Sequence, residues 1–280
     1  MRSRPAVALL AALTASCAAP LMKLPSGPEI PMTSLDGAGA YAQANSACSH
    51  VDTVTAEVAL SGSVSGRRIR GRLLVGVKRP ASARIEAVAP FGQPLFVFVA
   101  AGDDASLLLP RDERILAHSR PVDVLDAVAG IPLSAEDLRA VLTGCADEPG
   151  EITGKALRGD WLILAKPEQD AHRELYLHRE SGAGRWRTVA ELRSAPTGPV
   201  WRAEYRDFQN DLPRSIHLVG GDGRPAGARR FDVTLTLSQV ETNVGLDSQA
   251  FVIQPPSNSV QMSLEELRQS GPLAPRSNAR

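Results

Sequence analysis

Aromatic residues and excess charge are scarce in this chain. Only 4% of its 280 residues are aromatic, and its 31 basic residues balance 31 acidic ones. A chain without net charge has no overall field that would attract nucleic acid, so we expect no nucleic-acid partner. The low aromatic content favours an interior of aliphatic side chains over a site that stacks a planar ligand.

Side-chain groupings typical of catalysis or metal binding are also missing. The five histidines are scattered along the chain: His50, His118, His172, His178 and His217. Two of them, His172 and His178, fall on one face of a predicted strand, but no third ligand and no Cys-x-x-Cys spacing accompany them. The glycine-rich stretch at 220–223 precedes no helix, which indicates a turn rather than a phosphate-binding loop. We therefore expect a protein that is not an enzyme and that holds no metal or cofactor.

The first seventeen residues have the pattern of a bacterial export signal. Arg2 and Arg4 precede an apolar run, Ala6 to Leu13, that is too short to span a bilayer. Small residues then lead to Cys17, and this arrangement resembles the lipobox of bacterial lipoproteins. We predict a signal peptide over 1–17 and a lipid on Cys17; the alternative is an ordinary signal with an incidental cysteine.

The residue after that cysteine bears on the destination. In sorting of the enterobacterial type, Asp at this position retains a lipoprotein at the inner membrane, and this chain has Ala18. We therefore expect a protein anchored to the outer membrane and facing the periplasm. Because that compartment is oxidising, we predict a disulfide between the two remaining cysteines, Cys48 and Cys145; the alternative is two buried free thiols.

The pattern along the chain predicts one folded domain between two polar ends. Residues 18–34 are rich in Pro, Ala and Gly, which is typical of a flexible tether. The domain extends over 35–254 and begins with a short helix over 35–48. Residues 255–280 form a polar, Pro-rich tail, with one helix over 263–269.

Alternating hydrophobicity dominates the domain. Apolar and other residues alternate at 54–60, 69–77, 201–205 and 231–237, with turn signals between such segments, so we predict about eleven antiparallel strands. Helical spacing over 122–130 and 134–142 interrupts them. A sheet this large must curl, and its concave apolar face needs a cover. The prediction is a mainly β fold, a curled antiparallel sheet with an inserted helical lid.

Two central segments resemble a known family. The segment at 86–95 (EAVAPFGQPL) is similar to the strand–loop–strand of LolB, the outer-membrane lipoprotein receptors. The segment at 129–139 (AGIPLSAEDLR), followed by Gly144, is similar to the helical insert of that family. The segments at 201–208 and 212–216 agree more weakly, and the resemblance covers about 51–240.

The resemblance implies a half-open β-barrel closed by helices, whose apolar cavity holds lipoprotein acyl chains. It implies that a LolA-like periplasmic carrier delivers the cargo and that the receptor inserts it into the inner leaflet of the outer membrane, without a cofactor. By motif, the membrane-insertion loop is Pro90, Phe91 and Gly92. We expect a monomer.

Apolar positions on the alternating strands are the candidates for the cavity lining: Leu73, Val75, Ile85, Leu95, Val97, Trp201, Tyr205, Val233 and Leu235. The alternative for each is ordinary core packing. The long tether, the extension beyond Thr242 and the two domain cysteines depart from the family pattern. Two other functions therefore stay open: a non-catalytic binding or assembly module of the envelope, and a carrier of another lipid.

Overall fold

The protein, seen as a computed structural model, has one curled sheet with few helices. The structure describes residues 20–26, 30–31, 34–89, 94–145, 153–156, 160–168, 171–179, 184–196, 198–221 and 230–270. The helices are α1 (Ser34–Asn45), α2 (Pro121–Ala129), α3 (Ala135–Thr143) and α4 (Leu264–Ser270), and Ser248–Phe251 is a 3-10 turn. No helix in these ranges is long and apolar enough to cross a membrane.

The strands follow one another around the sheet. They are β1 (Ile30–Pro31), β2 (Thr53–Val64), β3 (Arg67–Lys78), β4 (Ser82–Val88), β5 (Phe96–Ala101), β6 (Asp104–Leu109), β7 (Arg114–Ser119), β8 (Thr153–Ala156), β9 (Trp161–Glu168), β10 (Ala171–His178), β11 (Arg187–Ala195), β12 (Gly198–Arg206), β13 (Ser215–Gly220), β14 (Phe231–Thr242) and β15 (Val260–Gln261). The spatial order is β1-β8-β9-β10-β11-β12-β13-β14-β2-β3-β4-β5-β6-β7-β15. Neighbouring strands are antiparallel except β15, which is parallel to β7.

The predicted fold class is confirmed, with more strands than expected. Strands β2, β3, β12 and β14 coincide with the alternating segments of the sequence, whereas β5 is a continuous apolar run. Strands β1, β8 and β15 have two to four residues each, too few to show a period of two. Each exists only through pairing with a longer strand; in β15, for example, Val260 pairs with Arg114 of β7.

Strands β14 and β2 approach closely at one glycine. Gly62 of β2 pairs with Val233 and has φ +145°, a conformation that favours glycine. A Cβ atom at this position would overlap the carbonyl oxygen of Asp232. Glycine therefore permits a close backbone contact that any other residue would block.

Local signals fix the two inserted helices. Helix α2 begins with Pro121 at its first turn and ends at Gly130, whose φ of 69° closes the helix. Helix α3 begins at a capping box, in which the Ser134 hydroxyl and the Asp137 carboxylate each accept the other's backbone N–H. It ends at Gly144, with φ 67°. Both helices pack on the concave face in the main hydrophobic core.

The chain after β14 also belongs to the folded domain. Phe251, Met262 and Leu267 are buried, and the last two are in the main core. Helix α4 packs on α2, and β15 extends the sheet beyond β7. The predicted polar tail thus contributes core residues as far as α4, because two apolar side chains sit among its polar ones.

The described part of the predicted tether is seated on the outer face of β12. The Met22 backbone N–H donates to both carboxylate oxygens of Glu204, at 2.8 Å and 2.9 Å. The carbonyl of Pro20 accepts from Arg206 at 3.0 Å. Residues 20–26 are therefore not a free linker, since a buried carboxylate on the sheet holds their backbone.

Candidate functional site

An apolar cavity lies between the concave face of the sheet and the inserted helices. Its volume is about 130 Å³. The lining comes from strands β2 to β5, β13 and β14 on one side and from the α2–α3 segment on the other: Val58, Leu60, Ile69, Arg70, Gly71, Arg72, Leu73, Val75, Ile85, Ala87, Val88, Leu95, Phe96, Leu125, Val128, Ala129, Ile131, Leu133, Leu138, Leu142, Leu218 and Leu235. Aliphatic side chains supply most of this surface.

Strand register explains why these positions meet. Leu73 of β3 lies beside Val58 of β2, and Val75 lies beside Ile85 of β4. Because side chains alternate between faces, every second residue of these strands points to the cavity. The residues between them, such as Leu74, lie on the outer face.

Five of the nine predicted lining residues are in the cavity wall: Leu73, Val75, Ile85, Leu95 and Leu235. The sequence-based candidates did not include the wall from α2 and α3, such as Leu125, Val128, Leu138 and Leu142. Their helical spacing could have identified them, since an amphipathic helix that covers a sheet turns its apolar face toward the cavity between them.

The other four predicted lining residues lie elsewhere. Val97 alternates with Phe96 and Phe98, which are in the main core, so its side chain belongs to the opposite face of β5. Trp201, Tyr205 and Val233 are on the concave face but are completely packed in the core, away from the open space. The prediction that they line the cavity is therefore not met, because alternation along a strand indicates the face of a side chain but not its distance from the cavity.

The predicted lipidation site and insertion loop lie outside the described residues. Cys17 precedes the first described residue, and Pro90, Phe91 and Gly92 lie between described parts of the chain. The flanking strands are described: the Leu95 N–H donates to the Ala87 carbonyl at 2.9 Å. Val88 and Leu95 both belong to the cavity wall, so the two ends of this connection start beside the cavity.

A buried group of charged side chains connects α3 to strands β10 and β11. The Arg173 guanidinium of β10 donates to Asp137 of α3 at 2.9 Å, and Arg193 of β11 lies 2.6 Å from the same carboxylate. Arg173 Nε is also 3.3 Å from Glu191 of β11. The side chains of Asp137, Arg173 and Glu191 are no more than 4% exposed. Opposite charges thus meet in the interior, where a missing partner is costly.

Burial is the main cause of the pKa shifts of Glu191 and Tyr205, which lie at the inner end of this group. Desolvation raises the pKa of Glu191 above its ordinary value, although the Arg173 charge acts in the opposite direction. The Tyr205 hydroxyl donates to Glu191 at 3.0 Å. Burial, and then the neighbouring Glu191 charge, raises the pKa of Tyr205 well above its ordinary value. The tyrosine therefore stays a neutral hydrogen-bond donor to the carboxylate.

The structure joins Cys48 and Cys145 in a disulfide. Their Cα atoms are 6.3 Å apart, within the span of such a bond. Cys48 follows α1 and Cys145 follows α3, so the bond connects the N-terminal segment to the end of the helical insert. No group of three or more His, Cys, Asp or Glu in the described ranges is placed to hold a metal ion.

Comparison with known proteins gives structural similarity without sequence similarity. No family model matches the chain, and no curated protein matches it. A putative outer membrane lipoprotein-sorting protein domain from Vibrio parahaemolyticus aligns with a TM-score of 0.52 at 11% identity, over 78% of this chain and 97% of that one. A DUF1329 family protein from Desulfovibrio piger aligns at 0.51 and 13% identity, over 77% and 96%.

The chain shares the fold of these two proteins. A LolA superfamily protein from Nitrosomonas europaea also aligns, with a TM-score of 0.45 at 12% identity, over 78% of this chain and 97% of that one. At such low identity the similarity concerns the fold alone. The shared fold accounts for nearly the whole length of the two structures with the higher TM-scores.

Proposed function

We propose that this protein is a lipid-anchored envelope lipoprotein that binds acyl chains in the cavity beneath α2 and α3. In the specific form we favour, it acts as a LolB-like receptor: it accepts lipoproteins from a LolA-like carrier and inserts them into the inner leaflet of the outer membrane. The observation that carries the proposal is the aliphatic cavity closed by helices, on a fold shared with a lipoprotein-sorting domain.

The chemistry of the wall suits an acyl chain. Each methylene removed from water contributes about 0.8 kcal/mol, so a long chain gains much free energy in an apolar groove. Aliphatic side chains such as Leu73, Val75 and Ile85 adapt to a flexible chain and impose no directional contact. The cavity must still bind less strongly than a bilayer, since the receptor has to release its cargo.

The cavity is too small for whole acyl chains as it stands. An apolar cavity of about 150 Å³ holds one benzene molecule, and this one measures about 130 Å³. It therefore fits only a short apolar segment while α2 and α3 stay in place. We infer that loading requires these helices to move away from β3 and β4.

The experiment is to fill the cavity with one side chain. Leu73→Trp places an indole in the wall, whereas Leu74→Trp places it on the outer face of the same strand, where Leu74 is 46% exposed. We expect Leu73→Trp to weaken binding of a fluorescent triacyl lipopeptide about tenfold, as the loss of a few buried methylenes would, with Leu74→Trp unchanged. Thermal melting of both variants checks that each is folded.

The same assay separates the other candidate functions. Equal binding by both tryptophan variants would contradict the cavity as the site. A wild-type protein that binds no acyl ligand would favour the non-catalytic binding or assembly module. Binding of phospholipid or fatty acid with no binding of lipopeptide would favour a carrier of another lipid.

A further inference from the structure

The seated N-terminal segment fixes where the chain leaves the domain. Glu204 of β12 is 0% exposed and interacts with both Arg202 and Arg206, which also hold the carbonyl groups of Met22 and Pro20. A fully buried, paired carboxylate that also accepts two bonds from a backbone N–H is expensive to uncover. The position of Pro20 against β12 is therefore a stable feature of the folded protein.

This seating limits the distance between the domain and a membrane. Only two residues separate Pro20 from Cys17, and an extended chain spans about 10 Å over these three steps. If Cys17 carries the lipid, the bilayer surface lies within about that distance of Pro20. This step rests on the proposed lipid anchor.

Exposed arginines lie on β3, at the β2–β3 hairpin. Arg68 and Arg70 of β3 pair with Ser63 and Ser61 of β2, Arg70 borders the cavity, and Arg67 is at the hairpin tip. All three arginines are exposed and have no ion-pair partner among the described residues. Strand β3 is four strands from β12, about 19 Å at the usual spacing.

Two carboxylates lie near these arginines, and each has another contact. Glu57 lies 2.9 Å from Arg72, and Asp232 lies 2.8 Å from His217. Leu21 of the seated segment lines a shallow depression together with Gly66 of the β2–β3 turn. The seated segment and the β2–β3 hairpin thus border one depression, with the three exposed arginines on the hairpin side.

We propose that this basic surface, made of Arg67, Arg68 and Arg70 beside residues 20–26, rests on a bilayer that contains anionic phospholipids. A membrane is favoured over an acidic protein because the predicted lipid anchor continues from residues 20–26, and Leu21 of that segment borders the same depression as Gly66 of the arginine-bearing hairpin. The cavity wall reaches this end of the sheet at Gly71 and Val88, both exposed. The surface therefore orients the cavity opening toward the bilayer that receives the cargo.

The test measures the distance of the hairpin tip from the bilayer. The full, lipidated protein with Ser65→Cys carries a donor dye at the exposed β2–β3 turn. It is reconstituted in vesicles of phosphatidylcholine alone or with about 30% phosphatidylglycerol, and an acceptor dye is attached to the headgroups. We expect stronger energy transfer in the anionic vesicles and its loss in about 0.5 M NaCl, which screens the attraction.

Matched variants identify the groups responsible. Replacing Arg67, Arg68 and Arg70 by Gln should weaken the contact about a hundredfold, since several basic residues near an anionic surface act together. Replacing Arg120, Arg179 and Arg268 by Gln removes the same charge from other parts of the surface and should leave the energy transfer unchanged.

The outcomes separate this inference from the proposed function. Equal energy transfer in neutral and anionic vesicles would overturn it, even if lipopeptide binding and Cys17 acylation are both intact. Loss of carrier-dependent loading in the Arg67, Arg68 and Arg70 variant, with energy transfer unchanged, would assign the surface to an acidic protein and also overturn it. Absence of the lipid on Cys17 in mass spectra would overturn both proposals.

Discussion

At the scale of single residues, the Asp137 carboxylate both caps α3 and pairs with two arginines. It accepts the Ser134 N–H at 3.0 Å and so caps the first turn of α3. It also receives Arg173 and Arg193 from the opposite side of the concave face. The helix that covers the cavity is thus capped and attached to the sheet by the same group. Because both depend on Asp137, the first turn of α3 and the attachment of α3 to the sheet are coupled.

Replacing this carboxylate should destabilise the protein strongly. Asp137→Asn keeps an oxygen for the helix cap but removes the charge that faces two arginines, and we expect a loss of about 3–5 kcal/mol in the free energy of unfolding. Asp123→Asn, at an exposed pair with Arg120 at the start of α2, should cost less than about 1 kcal/mol. Urea denaturation measures both. Equal, small losses would show that the buried pairing contributes little.

At the scale of elements, three attachments hold the helical lid in addition to its packing on β3, β4 and β6. Its first helix, α2, follows β7 in the chain and packs on α4. Its middle is held by the Asp137 group, and its last end is bonded through Cys145 to Cys48. The attachments at the two ends are covalent or apolar, whereas the middle one is ionic. Opening of the cavity therefore requires breaking the contacts of Asp137 while both ends stay in place.

Alternation and turn residues were sufficient to predict the order of the elements. They gave the strand-rich halves and the two helices between them, because local periodicity records which face of each element is buried. The partners that hold the lid were not predictable in this way. Asp137 and Arg173 are 36 residues apart, and neither has a local pattern that marks it as buried. Similarly, Trp201 and Leu218 share a face, but only the position of α3 decides which one reaches the cavity.

The disulfide should stabilise the protein by constraining its unfolded chain. The two cysteines are 97 residues apart, and a closed loop of about this length contributes about 4–5 kcal/mol on the chain-entropy account. We expect the Cys48→Ala, Cys145→Ala double variant to lose most of this in urea denaturation. The wild type should show the same loss in reducing agent. If the reductant leaves the wild type unchanged while the double variant unfolds more easily, side-chain packing and not the bond explains the effect.

At the scale of the whole molecule, several features coincide at one end of the sheet. The hairpin tip of β2 and β3, the ends of β4 and β5 and the wall residues Val88 and Leu95 all lie there. The Pro90–Phe91–Gly92 motif connects β4 to β5. We propose that Phe91 enters the bilayer, where an apolar ring would guide an acyl chain from one apolar environment into another. This arrangement agrees with the proposed basic surface, since both require the same end to face the membrane.

The role of Phe91 follows from this arrangement and is open to a direct test. If the ring enters the headgroup region, its burial contributes a few kcal/mol, enough to orient the domain and too little to anchor it. We expect Phe91→Glu to leave folding and lipopeptide binding nearly unchanged, while transfer of the bound lipopeptide to liposomes falls sharply. Leu74→Glu adds the same charge at an exposed apolar position of the outer face and should transfer normally. If Phe91 is instead a core residue, Phe91→Ala should lose about 3–5 kcal/mol because a buried ring leaves a cavity. A large fall in the melting temperature of Phe91→Ala, with transfer by its folded fraction intact, would contradict the membrane role.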